Sequence, residues 1–256
     1  MDISVPYKIV DEFYKVDHLI VPPQGSGIGQ LMLSSPDMRN FIAKHLRRDL
    51  PALPPHKLYI SRSGSFGKIG RGFVGEKHLE TLLQNEGYEI FHPQDHSWAV
   101  QLQHYLSATH ILGPDGSPFH LVNFTGRKDL KLGILQRRLG HETQQMIHQA
   151  QLYGIPDASL LSFTGRYWAC AGHQRAAHSL ISELRFGPLC DELKSRGFIS
   201  SKANWQNLTD SELEEELQAQ ANEAGNDMRR VRGNNDDMSQ FPTAGPDGKP
   251  RVFMTN

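Results

Sequence analysis

Apolar positions along this 256-residue chain alternate between two patterns from His56 onward. Short apolar-rich runs at Leu58–Ile60, Tyr88–Phe91, Thr109–Leu112, Leu130–Leu135 and Ala158–Phe163 read as strands. Between them, Leu79, Leu82 and Leu83 recur at helical spacing, and Gly87 after Asn85-Glu86 suits a helix C-terminus. Ser97 reads as the N-cap of a helix whose buried face is Trp98, Leu102, Tyr105 and Leu106. His141–Leu152 reads as a further helix, and His178–Arg196 as a long helical region. Strands alternating with helices at this interval predict βαβ units on a mostly parallel sheet, an α/β fold of Rossmann-like type.

The flanks differ from this middle region. Val16–Val21 reads as a short strand, closed by Pro22-Pro23 and a Gly25-Ser-Gly-Ile-Gly29 loop. Those glycines lack the G-x-G-x-x-G spacing of a dinucleotide site. Ser35-Pro36 opens a helix with Met38, Phe41, Ile42, His45 and Leu46 on one face. Pro51, Pro54 and Pro55 form a stiff connector. After about Trp205 the character changes: Asp210–Gln220 is acidic and weakly helical, and beyond Gly225 Asn, Asp, Gly and Arg dominate, a composition that reads as too polar to order itself. The predicted organisation is an amino-terminal segment over 1–55, an α/β domain over 56–205 and a polar, disordered tail over 206–256.

Charge and composition narrow the function. Net charge is -1 with 21% charged residues, and the basic pairs Arg47-Arg48, Arg137-Arg138 and Arg229-Arg230 are scattered, which argues against electrostatic capture of nucleic acid. The two cysteines, Cys170 and Cys190, make neither a disulfide framework nor a metal knuckle. No run approaches the roughly 20 apolar residues of a membrane span. Met1-Asp-Ile-Ser-Val-Pro6 has neither a basic start nor a long apolar run, so the chain reads as cytoplasmic. No H-E-x-x-H spacing is present, and no metal site is predicted.

Candidate chemistry gathers where strands end. Arg62 follows the Leu58–Ile60 strand, where its planar fork either meets a phosphate or pairs with a nearby carboxylate. The following Ser63-Gly-Ser-Phe-Gly67 carries hydroxyls and free amides suited to phosphate wrapping or to an ordinary loop. Arg71 and Glu76 flank Gly72-Phe-Val-Gly75; Glu76 serves either a ligand or the dipole of the helix it opens. Gly113-Pro-Asp-Gly-Ser117 ends another strand. Gly113 and Gly116 permit close backbone approach to a ligand, Ser117 precedes a helix start, and Asp115 can accept from a hydroxyl or act as a base. Pro-Asp-Gly is equally a common turn. His120 stands five residues after Asp115. Arg137-Arg138 end the Leu130–Leu135 strand as added positive charge or as a solvated pair. Trp168 reads as core or as a stacking platform.

Taken together, these segments resemble the catalytic domain of glycosyltransferase family 61. The matching positions are Tyr59-Ile-Ser-Arg62, Arg71, Glu76, Gly87-Tyr-Glu89, Ser97 with Gln101, Ala108, and Gly113-Pro114 with Gly116, spread over Lys57 to Phe124. Departures from the family pattern are Gly75 for an asparagine, Val100 for an acidic residue and Asp115 for a histidine. Ser117-Pro-Phe-His120 replaces a run of small residues, and Leu121 takes an asparagine position, so the chain resembles a divergent member. The resemblance implies a GT-B architecture in which this chain is mainly the carboxyl-terminal, donor-binding lobe, with residues 1–55 a remnant of the acceptor lobe. It implies transfer of a sugar from a nucleotide-diphosphate sugar to a glycan acceptor in surface or capsular polysaccharide synthesis. In that scheme Arg62 and Arg71 neutralise the diphosphate, with Glu76 beside them. Gly113, Gly116 and Ser117 bring backbone to it, and Asp115 or His120 handles the acceptor hydroxyl. No cofactor and no metal are expected, and peripheral membrane association is compatible with the acceptor class. The alternative is a non-catalytic module that holds a nucleotide sugar or glycan.

Overall fold

The computed structural model describes residues 10–255, apart from 22–23, 26, 28–32, 47–48, 66–71 and 234. Arg71 and most of the glycine loop lie outside the described residues. Five strands, β1 (His56–Ile60), β3 (Tyr88–Phe91), β4 (Ala108–Pro114), β5 (Lys131–Leu135) and β6 (Ala158–Leu161), form a wholly parallel sheet in the order β3-β1-β4-β5-β6. Each crossover carries a helix, as parallel neighbours require. These are α2 (Glu76–Asn85), α3 (Trp98–Ser107), α4 (Pro118–Phe124) and α5 (Glu142–Leu152). Gly87 takes φ +82 after α2, the left-handed turn that glycine tolerates.

Strand side chains alternate between two apolar layers, which is why both faces of the sheet are covered. Leu58, Ile60, Ile111 and Ile134 pack with Tyr105 of α3, Phe119 of α4 and Ile147 of α5. Tyr59, Leu112 and Leu135 face the other way, toward Leu79 and Leu83 of α2 and Leu189 and Leu193 of α6 (Phe186–Ser195). The helix before the sheet, α1 (Pro36–His45), starts as its sequence dictates, with the Ser35 hydroxyl accepting from the Met38 amide.

A second sheet, which the hydrophobic pattern did not announce, has the order β10-β9-β7-β8-β2. It comprises β2 (Gly72–Val74), β7 (Thr164–Cys170), β8 (Leu180–Leu184), β9 (Met228–Val231) and β10 (Val252–Phe253), with β7 antiparallel to both its neighbours. Phe73 of β2 and Leu184 of β8 join the Tyr59–Leu112 layer, so the two sheets share one core. The Ser182 hydroxyl also donates to the Arg137 carbonyl at 2.9 Å, tying β8 to the end of β5.

Four expectations change. Val16–Val21 is irregular, with Leu19, Ile20 and Val21 exposed, because a lone strand without a paired neighbour gains no stability. The region read as one helix from His178 splits into β8 and α6; cross-strand pairing with β2 and β7 overrides the local apolar spacing. Residues 206–256, read as a disordered tail with weak helicity over Asp210–Gln220, instead hold a full helix α7 (Asp210–Ala224) and the strands β9 and β10. Leu213, Leu217 and Ala221 form a narrow stripe that buries against Trp168 and Ile181, and Thr209 with Glu212 makes a capping box. Trp98, read as buried, is 77% exposed at the first position of α3.

Candidate functional site at the sheet's switch point

The chain leaves β1 for β3 on one side and returns to β4 on the other, so the connection direction reverses between β1 and β4. The carboxyl ends of strands at such a point form the crevice where open α/β sheets bind ligands. Ser61-Arg62 and Pro114-Asp-Gly-Ser117 are the residues that emerge there.

The two segments interlock. A β-carbon on Gly113 would stand 2.7 Å from the Ile60 carbonyl oxygen, and one on Gly116 would stand 2.9 Å from a terminal nitrogen of the Arg62 guanidinium. Both glycines are therefore there for lack of a side chain, which lets β1 and β4 close together and the guanidinium lie against the turn. The Arg62 amide donates to Glu76 Oε1 at 2.8 Å, and the Tyr59 hydroxyl donates to the same oxygen at 3.3 Å. Ser61 donates to Glu80 one turn further along α2. The start of α2 thus braces the end of β1. Burial pushes the Glu76 carboxyl up to about 7; the Arg62 amide hydrogen bond opposes the rise and nearby Glu80 adds to it. The Tyr59 hydroxyl is likewise raised, by burial first and by Glu76 next.

Asp115 sits differently from an acceptor-activating base. It is fully buried, and its carboxylate accepts from the Thr143 hydroxyl (2.8 Å), the Arg138 Nε (3.0 Å) and the Arg137 amide (3.3 Å). Arg137 Nε lies 3.2 Å from Oδ1 and donates to the Asp115 carbonyl at 3.1 Å. Arg137 and Arg138 are therefore partners of Asp115 rather than a solvated pair, and the cluster ties the β4 turn to the end of β5 and to α5.

Ser117 and His120 face a separate space beside this corner. A pocket of about 330 Å³ is lined by Trp98, Gln101, Ser117, Pro118, His120, Leu121 and Phe124. Ser117 makes no side-chain capping bond to α4. His120 Nδ1 is 3.0 Å from Gln149 Oε1, which also accepts from Asn123 Nδ2 at 3.0 Å. An amide oxygen only accepts, so His120 Nδ1 carries the proton and the basic lone pair resides on Nε2. The sequence singled out Arg62, Glu76, Gly113, Asp115, Gly116, Ser117 and His120 and named Tyr59 only within the strand motif, but it gave no sign of Thr143 and Gln149. Their contacts link positions far apart in sequence, and Trp98 reads as buried rather than as a wall of the pocket. Trp168 is wholly buried, so it is core.

His92 and His96 stand four residues apart, but they flank the 3-10 turn Pro93–Asp95 rather than sharing a helix face. Among the described residues, metal-donor atoms do converge at His56, Glu89 and His104, near the amino end of the same sheet.

These features define an α/β protein with an arginine and a glycine turn at the switch point of a parallel sheet. Residues 3–129, just under half of the chain, match the family model described as Glycosyltransferase 61, so this part of the chain is similar to that glycosyltransferase family. The span takes in Arg62, Glu76, the Gly113–Ser117 turn and His120; Arg137, Arg138, Thr143 and Gln149 lie beyond it. No curated protein and no solved structure matches the chain.

Proposed function

We propose that this chain transfers a sugar from a nucleotide-diphosphate donor to a glycan acceptor, as a divergent GT-B-type enzyme of surface polysaccharide synthesis. The observation that carries the reading is the Arg62 guanidinium lying against Gly116 at the switch point. A planar fork held against the turn just before the exposed Ser117 suits a diphosphate, whose charge grows as the sugar leaves. Arg71 belongs to the same proposal through the family pattern. Protein cations rather than a metal neutralise the leaving group in this scheme.

His120 is the better of the two proposed bases. Its Nδ1 is committed to Gln149, which orients the ring beside a pocket large enough for a sugar unit. Asp115 acts as the anchor that positions the turn, because its oxygens already accept from three partners. Glu76 positions Arg62 through the backbone amide. The non-catalytic alternative draws on the same commitment of Asp115, since one of two candidate bases is then occupied.

Calorimetric titration with nucleoside diphosphates and their sugars tests donor binding, and release of nucleoside diphosphate with an added glycan acceptor tests turnover. Arg62→Ala is expected to weaken diphosphate binding by about 1.5–3 kcal/mol, the range for a charged hydrogen bond. Equal affinity in a folded variant would remove Arg62 from the site. Tight donor binding without turnover on any acceptor would favour the binding module.

A further inference from the structure

A cluster of metal-donor side chains stands at the other end of the parallel sheet. His56 opens β1, Glu89 is the second residue of β3, and His104 lies in α3. Glu89 Oε1 is 3.3 Å from His104 Nδ1, and Glu89 Oε2 is 3.8 Å from His56 Nε2. All three donor atoms lie within 4.8 Å of one another. Both ring nitrogens are buried, and neither makes a hydrogen bond despite the carboxylate beside it.

The protonation pattern of His56 sharpens the picture. Its Nδ1 is 2.9 Å from the Pro54 carbonyl oxygen, which can only accept, so Nδ1 carries the proton and Nε2 presents a lone pair. A histidine whose second nitrogen is fixed on a backbone carbonyl is the usual outer-shell arrangement of a metal ligand. His104 is held by ring contact with Phe91 at 4.6 Å between centroids, and its own ring meets that of His56 edge-on at 5.5 Å. A tetrahedral ion with bonds of about 2.0–2.2 Å sets neighbouring donors roughly 3.4 Å apart. The two separations to Glu89 bracket that spacing, whereas a 3.8 Å gap is too long for a hydrogen bond.

We propose that His56, Glu89 and His104 form a binding site for a zinc-class divalent cation. Two imidazoles and one carboxylate suit such an ion, and the partly exposed Glu89 leaves a fourth position to water. The ion would clip β1, β3 and α3 together at the amino end of the sheet. His56 and Arg62 are six residues apart along extended chain, roughly 20 Å, so this cation is structural and takes no part in holding the donor diphosphate.

The test uses the full chain stripped of metal by a chelator and titrated with Zn²⁺ alone. One equivalent is expected to bind and raise the melting temperature, and Co²⁺ at the same site is expected to give the intense visible bands of a tetrahedral complex. Glu89→Gln and His104→Ala should each weaken Zn²⁺ binding at least roughly tenfold, about 1.4 kcal/mol, and abolish the Co²⁺ spectrum. Glu89 is exposed enough that its variant folds even if the histidine variant does not. Absence of stoichiometric Zn²⁺ binding, or equal binding by wild type and Glu89→Gln, would overturn the site. Neither result bears on nucleotide affinity, so the donor reading stands or falls separately.

Discussion

The Arg62 guanidinium occupies the space that a side chain on Gly116 would fill, with only 2.9 Å between its terminal nitrogen and the position of that β-carbon. Gly116→Ala should therefore displace the guanidinium while leaving the buried core intact. The expected outcome is a loss of nucleotide-diphosphate affinity approaching that of Arg62→Ala, with a change in melting temperature of only a few degrees. Comparing titrations of the two variants and their double mutant checks it: coupled residues give a double mutant little worse than either single one.

Glu76 makes stability depend on pH in an unusual direction for a carboxylate. Its folded-state value of about 7 lies above the ordinary value of 4.5. Below about pH 4.5 the group is protonated in both states and costs nothing. As pH rises from there to about 7 the unfolded chain ionises first, so stability falls, by roughly 3 kcal/mol in total at about 1.4 kcal/mol per unit. Glu76→Gln keeps an acceptor for the Arg62 amide and removes this slope. Denaturant melts at pH 5 and pH 8 should show the variant gaining on wild type only at the higher pH. A parallel loss in both proteins would locate the titrating group elsewhere.

Asp115 carries a structural load larger than that of a surface turn. Asp115→Ala takes the carboxylate away from the buried Arg137 side chain and the Thr143 hydroxyl, and removing one partner of a buried ion pair costs about 3–5 kcal/mol. Chemical denaturation should show a loss of that order. A folded variant of near wild-type stability that lacked turnover would restore Asp115 to the chemistry.

His120→Gln preserves size and a hydrogen-bonding group but removes the base. If His120 deprotonates the acceptor, kcat falls by about 10²–10⁴ while donor affinity stays within about twofold. The same substitution should cost no more than about 1 kcal/mol of stability, because one side-chain hydrogen bond is lost. Unchanged kcat would exclude the role.

The strands of the parallel sheet and the helices between them were legible because burial on both faces of a parallel sheet writes itself into short apolar runs and helical periods. Ser35 and Ser97 announced their helices for the same local reason: each hydroxyl accepts from the amide three residues on. The second sheet was not legible. Its members are short, and Leu180–Leu184 is a strand only because β2 and β7 pair with it. The acidic helix Asp210–Ala224 reads as only weakly helical because its packing rests on a three-residue apolar stripe.

At the site the division is similar. Sequence by itself marked Arg62, Glu76, Gly113 and Gly116, since strand ends, helix starts and glycine turns are local features. Tertiary structure alone decided that Arg62 lies on Gly116, that Asp115 belongs to Arg137, Arg138 and Thr143, and that His120 is oriented by Gln149. It also decided that His56, Glu89 and His104 meet. Those relations depend on which strands become neighbours and on which face each side chain leaves, and strand order is set by the packing of the whole chain rather than by any one segment of it.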